Sequence, residues 1–148
     1  MEKSEKVSNE VFSNSVLLFN SKYIKLYYIE DGNFIYSDWT GYQTQEGIQA
    51  GCSAMIEAQK KYSTVKMLNN NKNAKGSWTF SVPYVAEEVM PTLAQNGVQH
   101  FAWVISDDIF TSFAADKTMQ EEMVKKIPTM QIAPFKSMGE ALEYLDDH

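Results

Sequence analysis

The residues of this chain best suited to chemistry lie in one short run, Asn69-Asn70-Asn71-Lys72-Asn73-Ala74-Lys75-Gly76-Ser77-Trp78. The amides can donate and accept hydrogen bonds, and Lys72 and Lys75 add positive charge. That mixture suits recognition of an anion or of a protein partner better than bond-making. Asn69, Asn70, Asn71, Lys72, Lys75, Ser77 and Trp78 are therefore the candidate binding residues, with Trp78 as a lid or interface anchor. A competing reading is a plain solvated turn, since asparagine readily takes turn and left-handed conformations.

Other reactive groups form no working set. His100 stands alone at the start of a strand and lacks a positioned partner for general-base work. His148 reads as a mobile terminal residue. Cys52 sits among small residues in a helical stretch and reads as a packed thiol; as the single cysteine it excludes an internal disulfide and any multi-cysteine metal site. Asp38, inside an aromatic strand, reads as a solvated, edge-facing carboxylate. Asp107-Asp108 read as helix caps, Asp146-Asp147-His148 as a solvated tail, and Glu87-Glu88 and Glu121-Glu122 as outer helix faces. No phosphate-binding glycine loop, nucleophile elbow or zinc spacing occurs. The expectation is a non-enzymatic chain with no catalytic residue, no metal and no cofactor.

Charge sharpens the location. The chain carries a net −6, which argues against non-specific nucleic-acid binding. All 13 basic residues are lysines, so no guanidinium fork is available for bidentate grips. From Glu87 onward eleven acids face four lysines, whereas residues 58–86 hold no acid and five lysines: Lys60, Lys61, Lys66, Lys72 and Lys75. The asparagine–lysine run lies in the one basic segment of an acidic chain.

The elements that must position this run follow from periodicity. With 148 residues the chain is long enough for one core and is expected to be a single domain over residues 16–148, behind a loose leader at 1–15. No apolar run is long enough to span a membrane, and no apolar signal core follows Met1, so a cytoplasmic location is expected. Leu17–Phe19, Tyr23–Ile29 and Phe34–Trp39 read as strands, with Asp31-Gly32 as a hairpin signal and Gly41 ending the third. Thr44 caps a helix through Lys61 whose Gly47 and Gly51 permit close approach to the sheet. Val65–Leu68 reads as the next strand, running into the asparagine loop. A helix then starts at Ser81 or Val82, buries Val82, Val85, Ala86, Val89 and Leu93, kinks at Pro91 and stops at Asn96-Gly97. Phe101–Ile105 reads as a doubly covered strand. One helix from Asp107 or Asp108 to Lys126 follows, with Phe110, Phe113, Met119, Met123 and Ile127 inward. Met130–Ala133 is the last strand, and Ser137-Met138-Gly139-Glu140 is a capping box opening a final helix that buries Ala141, Leu142 and Leu145. The fold class is α/β: a mixed, largely parallel sheet with an antiparallel N-terminal hairpin, packed by about four helices.

Four stretches carry a family resemblance: Trp39-Thr40-Gly41, Leu68-Asn69-Asn70-Asn71-Lys72, Met90-Pro91 with Gly97-Val98 and Ala102, and Phe135-x-x-Met138-x-x-Ala141-Leu142-x-Tyr144-Leu145. Together, over about residues 17–146, the chain resembles the small bacterial STAS-like (SpoIIAA-like fold) proteins, in particular a branch of stand-alone members with no assigned activity. The resemblance implies a regulatory domain. In the better-known STAS domains a serine or threonine after the third strand is phosphorylated by a partner kinase, usually within Asp-Ser-Ser-Gly. That motif is absent here; Ser77, Thr79 and Ser81 occupy the neighbourhood as candidate phospho-acceptors.

Two functions remain open at this level. One is a domain binding a protein partner, or a second copy of itself, around residues 69–81. The other is a small-molecule or lipid-binding module, because eight Tyr, eight Phe, three Trp and eight Met could line a soft apolar cleft.

Overall fold

A computed structural model describes residues 14–76 and 81–148, without the side chains of residues 82, 112–114, 119, 120 and 123. Aromatic and β-branched runs build the first three strands, β1 (Ser15–Asn20), β2 (Ile24–Ile29) and β3 (Phe34–Tyr42), paired antiparallel in chain order. The hairpin expected at Asp31-Gly32 forms, but through a four-residue connection, Glu30 to Asn33, in which Gly32 and Asn33 rather than Asp31 and Gly32 take positive φ. The leader expected over 1–15 lies outside the described residues as far as 13. Ser15 already belongs to β1, and the carbonyl of Asn14 accepts from the Glu30 amide.

From β3 onward helices alternate with strands. They are α1 (Gln45–Tyr62), β4 (Lys66–Lys75), a composite helix α2, β5 (His100–Val104), α3 (Asp107–Ala115), α4 (Lys117–Lys126), β6 (Gln131–Phe135) and α5 (Met138–Asp146). The six strands lie in sequential order β1-β2-β3-β4-β5-β6, with β3 to β6 parallel. Parallel neighbours added always on the same side need crossovers of one hand, and the right-handed rule places all those helices on one face. The core matches: Ile48, Cys52 and Met55 of α1, Val89 and Leu93 of α2, and Ile127 and Met130 before β6 share one cluster with Ile24, Leu26, Ile35, Trp39, Met67 and Phe101. On the other face the helical cover comes from α5, whose Ala141 and Leu145 pack with Phe34, Tyr36, Leu68, Ala102 and Val104.

Several local readings are met. Thr44 Oγ1 accepts from the Gly47 amide at 3.0 Å and caps α1. Ser137 Oγ accepts from the Glu140 amide and donates to Glu140 Oε1, so the hydroxyl rather than the Ser137 amide holds that carboxylate. Fully buried Gln59 donates to the carbonyls of Thr64 and Asn96, tying the ends of α1 and α2 together.

Others change. Pro91 gives no simple kink. The helix runs Val82–Tyr84, then a π-helical turn Val85–Val89, then Met90–Gln95, and the widened turn sits where the missing Pro91 N–H and the ring disturb the backbone ladder. The single helix expected to Lys126 is broken at Asp116 into α3 and α4, giving five helices among the described residues. Its cap comes from Ser106, whose carbonyl accepts from Phe110 at 2.9 Å, while Asp107 and Asp108 occupy the first turn. Of its expected inward residues Ile127 is buried; the side chains of Phe113, Met119 and Met123, like that of Val82, lie outside the description. Finally, β3 continues through Gly41 to Tyr42.

Gly47 and Gly51 do set the approach of α1 to the sheet. A Cβ at Gly51 would stand 2.6 Å from the Trp39 ring, and one at Gly47 would meet Tyr23. Gly51→Ala should therefore lower stability by about 1–3 kcal/mol through overpacking, despite a helix-propensity gain of about 1 kcal/mol. Gly139→Ala, where nothing stands within 4 Å, should be neutral or stabilising. Urea midpoints of the two variants check the contrast.

Candidate functional site

The asparagine run is a strand and not a loop. β4 extends from Lys66 to Lys75, with Asn69 and Asn70 buried between β3 and β5. Because side chains alternate across a strand, the three asparagines serve both faces. Asn69 and Asn71 point towards α1 and α2. There Asn69 Oδ1 accepts from Trp39 Nε1 at 2.8 Å, Asn69 Nδ2 donates to Asn71 Oδ1, and Asn71 Oδ1 also accepts from Trp103 Nε1 at 3.0 Å. Two indoles from the strands on either side of β4 are thus joined through two amides. Asn70 points to the α5 face, where Nδ2 donates to Tyr36 Oη at 3.2 Å.

The same run carries a β-bulge. Asp38 is opposite Asn70 and Thr40 opposite Asn73, so Asn71 and Lys72 together oppose Trp39. Asn70 Oδ1 accepts from the Lys72 amide at 3.0 Å, supplying a partner for a donor at this irregularity.

Beyond the bulge the site opens. Pairing of β4 with β5 ends at Asn70–Val104, while pairing with β3 continues to Tyr42–Lys75. Pairing of β3 with β2 ends at Trp39, with one further bond from the Thr40 amide to Tyr23 O at 2.9 Å. Residues 40–42 and 73–75 therefore form a two-stranded parallel ribbon past the carboxyl edge of the sheet, where α/β proteins bind their ligands. Gln43 holds its base: Nε2 reaches the carbonyls of Tyr23, Thr40 and Gly41, and the Gln43 amide donates to Lys75 O. Gly76, at φ +79°, turns the chain away from the ribbon with the Tyr42 ring above it; a Cβ there would come within 3.1 Å of that ring. Lys72, Asn73 and Lys75 are exposed, and Tyr42 is 73% exposed. Tyr42 and Lys75 are a cross-strand pair, an aromatic ring beside a cation.

Next to the ribbon, on the α5 face, lies a cluster that the sequence reading discounted. Asp38 is on an inner strand, between Lys25 of β2 and Asn70 of β4, and not on an edge. Its Oδ1 is buried without a hydrogen-bond partner among the described residues, and burial holds its carboxyl above the usual aspartate range, with Lys25 pulling the other way. Tyr36 and Tyr27 stack at 5.8 Å, and burial, helped by the Asp38 charge, raises both phenols.

The remaining candidates are dispersed. Ser77, Trp78 and Thr79 lie outside the described residues, and Ser81 is buried, which shields its hydroxyl from a kinase. His100 is at the opposite edge, its Nδ1 2.9 Å from Tyr144 Oη; since that hydroxyl donates to Gln131 Oε1, His100 Nδ1 is the donor. Partial burial and the neighbouring His148 lower the His100 pKa. His148 is docked and not loose, with Nδ1 2.7 Å from Tyr144 O and its ring 4.6 Å from that of His100. Burial pushes the Cys52 thiol up to about 12, which keeps it protonated and inert. Among the described residues no group of three metal-ligating side chains forms, and no helix is long and apolar enough to cross a membrane.

Of the residues missed by sequence reasoning, Trp39, Trp103 and Tyr36 had one usable signal, while exposed Tyr42 had none. Buried indoles and phenols need hydrogen-bond partners, and three adjacent asparagines can supply them. Asn69→Ala should cost about 1–3 kcal/mol by orphaning the buried Trp39 N–H. Asp38 gives a pH test. A carboxyl that binds its proton more tightly folded than unfolded adds no penalty below its ordinary value of 3.8 and its full penalty above the raised one. The stability of Asp38→Asn relative to the parent should therefore grow as pH rises from that value to neutrality, as read from paired urea titrations. Against known proteins, no family model, no curated protein and no solved structure matches this chain.

Proposed function

We propose that this protein is a non-enzymatic interaction domain that binds an acidic segment of a protein partner, or of a second copy, on the ribbon formed by residues 40–42 and 73–75. The observation that carries the reading is the exposed pairing of Tyr42 with Lys75, with Lys72 exposed at the bulge, on a ribbon that runs past the end of β5 and keeps only its base, through the Thr40 amide, tied to Tyr23. An aromatic ring supplies contact area at little entropic cost, and flanking lysines complement carboxylates. Of the five lysines in the basic segment, Lys72 and Lys75 stand at the ribbon, while Lys60, Lys61 and Lys66 lie towards the opposite edge of the sheet, so the charge offered to an acidic partner here is that of Lys72 and Lys75. Asn69, Asn70 and Asn71 support the ribbon from within, leaving Lys72, Lys75 and Tyr42 to make contact. We keep the STAS-like assignment as part of this proposal. It is supported by the quoted sequence motifs and by a mixed sheet whose switch-bearing junction, in that family, is also the carboxyl end of a strand.

A labelled Glu/Asp-rich peptide titrated against the protein tests the reading. Binding should weaken steeply with salt, and Lys72→Ala/Lys75→Ala should weaken it about three- to tenfold, as expected for rim charge pairs. Lys125→Ala/Lys126→Ala should leave it unchanged. Equal effects of the two double variants would reduce the interaction to bulk charge and overturn the proposal. A fixed mass increment on the purified protein in native mass spectrometry would favour the small-ligand alternative instead.

A further inference from the structure

The two edges of the sheet are built differently. The amide of Gln131 bonds to Gln99 O and the carbonyl of Phe135 accepts from Ile105, both on the side of β5. By alternation, Pro134 turns its backbone outward, where it has no N–H to offer. Strand β6 is therefore a blunted edge. Strand β1 is not. Its sequence, Ser-Val-Leu-Leu-Phe-Asn, contains neither a proline nor a charged residue. Val16 is 41% and Leu17 51% exposed.

The direction of the β1 backbone is set by one bond. The carbonyl of Asn14 accepts from the Glu30 amide, so Asn14 and Val16 face β2, while Ser15 and Leu17 turn their N–H and C=O outward. A bulge at Leu18 ends this regular stretch. Among the described residues nothing pairs with that outer edge, and exposed edges of this kind are templates for strand addition.

We infer that β1 is a self-association edge, pairing antiparallel with β1 of a second copy about a two-fold axis at Val16. In that register Ser15 of each copy exchanges both backbone hydrogen bonds with Leu17 of the other, making about four new bonds. The two Val16 side chains meet in the close central pair. Three observations favour a second copy as the occupant. The strand is uncharged, so self-pairing sets no like charges opposite each other in a chain of net −6. The outward groups are complementary to themselves under a two-fold. And with β6 blunted by Pro134, edge-to-edge growth stops after one step, giving a closed dimer instead of a filament. This edge is separate from the ribbon at β3 and β4, so either surface can fail without the other.

Sedimentation velocity over a concentration series up to about 100 µM, a range suited to a weak interface, tests the inference. The parent protein should shift from the 16.9 kDa chain mass towards twice that value. Val16→Lys, a surface change that places like charges face to face, should remain monomeric at every concentration with an unchanged circular dichroism spectrum. Under mild oxidation, Val16→Cys should form a covalent dimer, and the parent, with only the buried Cys52, should not. A parent that stays monomeric throughout, a dimer indifferent to Val16→Lys, or open-ended assembly would each overturn the inference.

Discussion

The amides of Asn69 and Asn70 are buried where β4 crosses the middle of the sheet, with half-buried Asn71 beside them, and the surrounding structure is arranged to satisfy them. A buried amide without partners costs a few kcal/mol, so leaving Asn69 and Asn70 unengaged would weaken the centre of the sheet severely. All three amides are engaged by donors and acceptors that need them equally: the indoles of Trp39 and Trp103 on one face and the phenol of Tyr36 on the other. Each of those groups comes from β3 or β5, so the network also locks the register of β4 against both neighbours. The bulge opposite Trp39 is part of the same arrangement, with Asn70 supporting the Lys72 amide across it.

That register decides what the carboxyl edge can present. Because β5 ends opposite Asn70 while β3 and β4 run on, the last residues of both strands emerge as a ribbon and not as the usual strand-to-helix loop. The sequential strand order contributes as well. It sends every crossover helix to one face, so the opposite face relies on α5, packed over β4, β5 and β6. Lys25, Tyr27 and Asp38 lie on the antiparallel half of that face, and burial there raises the Asp38 carboxyl above its ordinary value against the pull of Lys25. The exposed ribbon at the ends of β3 and β4 and the open edge of β1 are thus two consequences of one topology.

Much of the frame was legible in the sequence. Thr44, Ser137 with Glu140, and Asn96-Gly97 announced helix ends through side-chain chemistry that acts within a few residues, and the aromatic strands announced themselves by composition. The asparagine strand did not. Its partners Trp39 and Trp103 are 30 and 32 residues away, and asparagine by itself favours turns, so the local signal pointed to a loop while distant hydrogen bonds imposed a strand. The break at Asp116 and the π turn before Pro91 were hidden for the same reason, since helical periodicity does not report a change in backbone ladder. The basic character of the segment, in contrast, needed no structure, and it still singles out Lys72 and Lys75 once the loop has become a ribbon; Tyr42 joins them only through the pairing of β3 with β4.

Native-state amide hydrogen exchange across residues 66–75 tests the central claim most directly. If the asparagines form an inner strand, the amides of Leu68, Asn69 and Asn70 should exchange as slowly as those of Ile35 and Phe101 on the flanking strands, with protection falling towards Lys75. Exchange of Asn69 and Asn70 at the rates of an exposed loop would contradict the account.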